Sequence, residues 1–160
     1  MLIEMSIKGL MVDPVTHLPI IILRDVDGQR VLPIWVGAVE ANAIALQIEN
    51  IAAPRPLTHD LVCALINQLG ATLERVVITD LHESTFYAHL HLVAAQGPLF
   101  VDVRPSDALA LALRCRTPVF VHTRVLERAT STEISTPTVD RERLHQWLES
   151  LDPDDLGYKM

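Results

Sequence analysis

Two short strings bring chemically capable residues together: Pro54-Arg55-Pro56-Leu57-Thr58-His59-Asp60 and Arg104-Pro105-Ser106-Asp107. Each places an arginine just ahead of an acid, at what reads as the start of a helix. Helix starts carry unpaired amide N–H groups and the positive end of the helix dipole, so an adjacent arginine makes each a ready anion site. The first string adds His59, whose imidazole ordinarily titrates near neutral pH and can take or give a proton. Much of both strings has a plainer explanation. Thr58 suits an N-cap, Pro105 the first helical position, and Asp60 and Asp107 the acid-favouring first turn. Capping leaves Arg55 and His59 unexplained.

A third acid, Glu40, follows Ile34-Trp35-Val36-Gly37 and precedes an apolar helix, as Asp107 follows Val101-Asp102-Val103-Arg104. Laid over each other at an offset of 67 (Glu40 on Asp107), residues 4–46 match the later chain without a gap, with Lys8 on Arg75 and Asp13 on Asp80. We read this as internal duplication of a three-strand-plus-helix unit. Arg104 stands where the first unit has Gly37, so shared architecture does not account for it. Asp80 ends a strand in Thr79-Asp80-Leu81-His82-Glu83 and reads as a turn residue or a further catalytic acid. If a hairpin loop spans 94–97, His89 lies opposite Asp102 and His91 opposite Phe100, three possible metal ligands on one face.

These residues need elements to hold them. Alternating apolar runs predict strands over 3–12, 19–23 and 31–36, with Asp27-Gly28 as a hairpin turn and Pro33 confined to an edge or bulge. A helix is predicted over 38–49. Another begins at Thr58, with Leu61, Val62, Leu65, Ile66 and Leu69 as its buried stripe and Gly70 as its stop. The second unit predicts strands over 72–80, 85–93 and 98–103, then a helix over 105–115 whose alanines permit close packing. Pro118–His122 is a further strand. The fold class is α+β, with a twisted mixed sheet or partial barrel covered by helices. Residues 1–128 form the domain, with repeats over about 3–70 and 71–128. Residues 129–139 read as a linker, and 140–160 as an amphipathic helix and tail.

Composition narrows the function. Hydrophobic residues make up 49% and charged residues 21%, as in a globular chain. No apolar run is long enough to span a membrane and no export signal is visible, so a cytoplasmic protein is expected. Cys63 and Cys115 lie in apolar helical patterns and read as buried thiols rather than a disulfide. A net charge of −7 with two lysines argues against passive gripping of nucleic acid, though an acidic nuclease can recruit a divalent metal for the missing positive charge. The first hairpin turns Ile20, Ile22, Val31 and Trp35 outward, an apolar patch that predicts a subunit interface and hence a homo-oligomer, a dimer above all.

Taken together, Leu32-Pro33-Ile34-Trp35-Val36-Gly37 with Glu40-Ala41, Pro54 to Asp60, Phe86-Tyr87-Ala88 and Arg104 to Ala108 resemble the bifunctional nuclease domain family. The resemblance covers about residues 3–126 and implies an α+β fold built from a duplicated unit. It also implies DNase and RNase activity. Its motif positions here are Glu40, Arg55, Thr58, His59, Asp60, Tyr87, Arg104, Ser106 and Asp107. The expectation is a nuclease acting on DNA or RNA, assisted by a divalent metal such as Mg²⁺. In it, His59, Asp60, Glu40, Asp107 and Asp80 do acid–base or metal work, while Arg55, Arg104 and Ser106 hold phosphate. The competing expectation is a non-enzymatic oligomeric module that binds an anionic ligand or a partner protein at the helix starts.

Overall fold

The computed structural model describes residues 1–130, so the expected helix over 140–151 and most of the linker lie outside the described residues. Among those residues, strands β1 (Leu2–Val12), β2 (Pro19–Asp25), β3 (Val31–Trp35), β4 (Thr72–His82), β5 (Thr85–Ala94), β6 (Gly97–Val103) and β7 (Val119–His122) form one sheet. Its order is β3-β2-β1-β7-β4-β5-β6. Neighbours run antiparallel except β4 and β7, so the sheet is mixed; β3 and β6 are its open edges, and it does not close into a barrel. The helices are α1 (Ala38–Ile48), α2 (Thr58–Gln68), α3 (Pro105–Cys115) and α4 (Thr123–Thr130).

The hairpins form where turn chemistry allows. Gly28 takes a φ of +71°, which glycine adopts without strain, between β2 and β3. The β5–β6 turn closes on Ala94 opposite Gly97, at a φ of +115°, and sets His89 opposite Asp102 and His91 opposite Phe100 as expected. Pro33, which has no N–H to give, sits in the edge strand β3 opposite Ile22.

One face of the sheet meets the helices. Ile21, Leu23, Val76, Ile78, Ala88 and Leu90 project into a single core. The central helix of that core is α3, whose Ala108, Leu109, Ala110, Leu111 and Ala112 are all buried. Its alternating alanines let α1 and α2 approach it from two sides. Arg114 locks the three helices together. Its side chain is only 3% exposed; Nε donates to Asp60 Oδ1 at 2.8 Å and Nη2 to the Ala43 carbonyl at 3.0 Å.

Four expectations are corrected. First, α2 leans on α3 and barely reaches the sheet, so only Val62, Cys63 and Ile66 pack against the core, while Leu61, Leu65 and Leu69 face solvent. Its N-cap is Leu57 rather than Thr58, and since leucine offers no acceptor the start is held by Asp60 Oδ2 taking the Leu57 N–H at 2.9 Å. Second, Ile20 and Ile22 are buried in a small second cluster with Met11, against which Val31 packs. Only Trp35 of the expected patch is exposed, and its Nε1 donates to Asp13 at 3.2 Å. Third, Cys63 and Cys115 form a disulfide with Cα atoms 6.4 Å apart, stapling α2 to the end of α3. Packing of two helices creates this pairing, which sequence spacing does not betray. Fourth, α4 went unread, although Val125, Leu126 and Ala129 at i, i+1 and i+4 give it a buried stripe.

Candidate functional site

The helix starts of α1, α2 and α3 converge at one place. Arg104, the N-cap of α3, extends its guanidinium across the gap to α1. Its Nη2 lies 2.6 Å from Glu40 Oε1 and 2.9 Å from Asp107 Oδ2, while Nε donates to the same Asp107 oxygen at 2.9 Å. These bonds, to Asp107 first and Glu40 second, raise the arginine's pKa above its usual value, so it stays charged at any relevant pH. Nη1 makes no hydrogen bond among the described residues, and the side chain is 66% exposed.

Asp107 is the hub. Its other oxygen, Oδ1, sits 2.9 Å from His59 Nε2 across the gap between α3 and α2. With a carboxylate as acceptor, that nitrogen carries the proton, which leaves Nδ1 as the free position of a neutral ring. His59 is 8% exposed, held by its place in the first turn of α2. Among the described residues, the buried side-chain polar atoms without partners are Arg24 Nε and Asn42 Oδ1.

Gly37 makes the arrangement possible from the α1 side. Its backbone, at φ −70° and ψ 158°, is open to any residue; the constraint is space. A Cβ there would collide with the Glu40 carboxylate, which folds back over its own helix start to reach Arg104. Sequence reasoning identified Glu40, His59, Arg104 and Asp107, and the structure brings these four together. It missed the part played by Gly37 and the buried bridging role of Arg114. The signal for Arg114 was a cation directly after the apolar run Ala108–Leu113.

The other expected site residues lie elsewhere or are otherwise engaged. Asp60 is committed to the Leu57 N–H and to Arg114, so its task is to hold α2 in place. Ser106 is buried in the first turn of α3. Arg55 is exposed in the α1–α2 connection and makes no hydrogen bond or ion pair among the described residues. Asp80 does not join the cluster; it stands in β4 opposite Tyr87 and pairs with Arg128. His89 and Asp102 share a face, as the register predicts, at 3.9 Å. Among the described residues no group of three or more His, Cys, Asp or Glu is arranged to hold a metal ion. Nor is any described helix long and apolar enough to cross a membrane.

Comparison with known proteins places this arrangement in context. The model of the bifunctional nuclease domain matches residues 21–133. An uncharacterized protein of Mycobacterium tuberculosis (strain ATCC 25618 / H37Rv) is 41% identical over 161 aligned residues, covering 95% of this chain and 96% of its own length. Bifunctional nuclease 1 of Arabidopsis thaliana is 30% identical over 131 residues, covering 74% of this chain and 39% of the plant protein. Bifunctional nuclease 1 of Oryza sativa subsp. indica is 27% identical over 116 residues, covering 71% of this chain and 35% of its own length. The chain thus matches the bacterial relative end to end, but only a minor part of each plant protein.

Proposed function

The chain belongs to the bifunctional nuclease domain family, and from that premise we propose that it hydrolyses phosphodiester bonds of DNA or RNA where α1, α2 and α3 begin. The observation that carries the reading is the meeting of an imidazole, a guanidinium and two carboxylates from three helix starts. Asp107 orients His59 through Nε2, so Nδ1 is the atom that takes a proton from an attacking water. The same ring then returns the proton to the departing alkoxide. Arg104 Nη1 binds a phosphate oxygen and offsets the charge that builds in the transition state. Glu40 keeps that guanidinium aimed at the gap.

The donor set does not fit a metal as it stands. Arg104 lies between Glu40 and Asp107, the two carboxylates a divalent ion would need. The proposed steps therefore run through the chain's own residues. Purified protein should cleave single-stranded RNA or DNA in the presence of EDTA, and Arg104→Gln should slow cleavage by about 100-fold or more. Cleavage unaffected by Arg104→Gln would remove the arginine from the mechanism; cleavage abolished by EDTA and restored by Mg²⁺ would replace it with a metal.

One observation favours a second reading, a module that binds an anionic ligand without turnover. Two carboxylates already engage two nitrogens of Arg104, Nε and Nη2, and the chain carries a net charge of −7, so a polyanion meets repulsion on approach. A melting temperature raised by inorganic phosphate, with no cleavage of either nucleic acid, would decide for it.

A further inference from the structure

The face of the sheet away from α1–α3 carries a second cluster that the nuclease reading does not use. A cavity of about 590 Å³ opens there, lined by residues that include Leu2, Val77, His91, Phe100, His122 and Arg124. That volume lies within the ordinary range for small-ligand sites. Register explains the grouping. His91 pairs with Arg75 on β4 and with Phe100 on β6, and Leu2 on β1 pairs with His122 on β7. These side chains alternate with the core-facing Val76, Leu90 and Val121 and so emerge on the open side.

The hydrogen bonds fix what the pocket offers. Arg75 Nε donates to His91 Nδ1 at 3.2 Å, and the Arg124 backbone N–H donates to His122 Nδ1 at 3.2 Å. A ring nitrogen that accepts an N–H must hold its lone pair, so the proton of each neutral ring sits on Nε2. Both rings therefore present an N–H donor and no lone pair. Burial first, then Arg75 and His89, hold His91 below its usual pKa; burial and then Arg124 do the same for His122. Arg124 spends Nε on the Thr79 carbonyl at 2.9 Å, and its terminal nitrogens make no hydrogen bond among the described residues. The lining carboxylate, Asp80, is engaged by Arg128.

Such a pocket suits an anion and not a metal, which would need the imidazole lone pairs that Arg75 and the Arg124 amide already occupy. Beside the donors stands an apolar platform. Phe100 is 64% exposed and stands in a T-shaped pair with His91, with ring centroids 4.7 Å apart and planes at 83°. A half-exposed aromatic face next to a cation suits a flat ring carrying a negative group.

We propose that this pocket is a binding site for a mononucleotide, with its phosphate on Arg124 and the Nε2–H of His122, and its base on Phe100 beside His91. The site lies on the other side of the sheet from His59 and does not depend on the nuclease reading. Titration calorimetry of the full chain with AMP, adenosine and inorganic phosphate tests it. AMP should bind about tenfold or more tightly than either adenosine or inorganic phosphate, since each of these keeps only half the contacts. Arg124→Gln should weaken AMP about tenfold, Phe100→Ala at least about fivefold, and His59→Ala should leave AMP binding as it is. Circular dichroism of each variant confirms its fold. No AMP binding by the wild-type chain, equal binding by Arg124→Gln, or loss in His59→Ala would overturn the proposal. Adenosine or phosphate binding as tightly as AMP would overturn it too, by removing one half of the recognition.

Discussion

The two strand-to-helix junctions do opposite jobs with the same plan. At α1 the cap is Gly37, and the acid three residues on, Glu40, folds back into the space a side chain would fill. At α3 the cap is Arg104, and its side chain fills the corresponding space, gripping both Asp107 and Glu40. One junction is emptied so that its acid can reach the other. The pair teaches that the departure of Arg104 from Gly37 makes a single charged cluster out of two separate capping devices. Each acid alone needs only a helix start; together, in one place, they need a cation.

Substitutions separate what each junction contributes. The largest expected effect comes from the frame that holds the junctions together. Arg114→Ala leaves Asp60 and the Ala43 carbonyl without their buried partner and should cost about 3 kcal/mol, measured by chemical denaturation. A smaller loss would mean that α1, α2 and α3 find one another without it. Reduction of Cys63–Cys115, which closes a 52-residue separation, should cost somewhat less in practice than the roughly 4 kcal/mol that chain entropy allows. It should lower the melting temperature by about 5–10 °C. An unchanged melting temperature on adding dithiothreitol would show that the staple contributes nothing.

Substitutions at the junctions themselves are smaller and more pointed. Gly37→Ala and Glu40→Gln should each cost about 0.5 kcal/mol, because Arg104 is well exposed and solvent screens the pair. Their double variant should cost no more than either single one, since both act on the same contact. Full additivity would mean that Gly37 is there for some reason other than making room for Glu40.

Much of the architecture was legible from periodicity alone. Apolar runs bounded by turn residues placed all seven strands, and the β5–β6 register followed from the length of one loop. The all-apolar run Ala108–Leu113 announced a central helix. Common descent of the two halves is our proposal from the shared offset. What failed has a common cause: a sequence pattern shows that a face is apolar but not what covers it. Leu61, Leu65 and Leu69 look like a core stripe until α2 is seen to lean on α3, and Ile20 and Ile22 look like a surface patch although they are buried in a cluster with Met11. At the site, residue types and helix starts were readable. The partners of Asp60 and Asp80 were not readable, because a carboxylate near a helix start or strand end looks the same whether it meets solvent or, as here, Arg114 and Arg128.

The central claim is that His59, oriented by Asp107, moves the proton in phosphodiester cleavage. Its most direct test is the cleavage rate of single-stranded RNA and DNA by purified wild-type and His59→Ala protein, prepared side by side. The account predicts a fall of about 100-fold or more with the melting transition still cooperative. An unchanged rate in His59→Ala would contradict it, and an unchanged rate in Arg104→Ala as well would point to a contaminant.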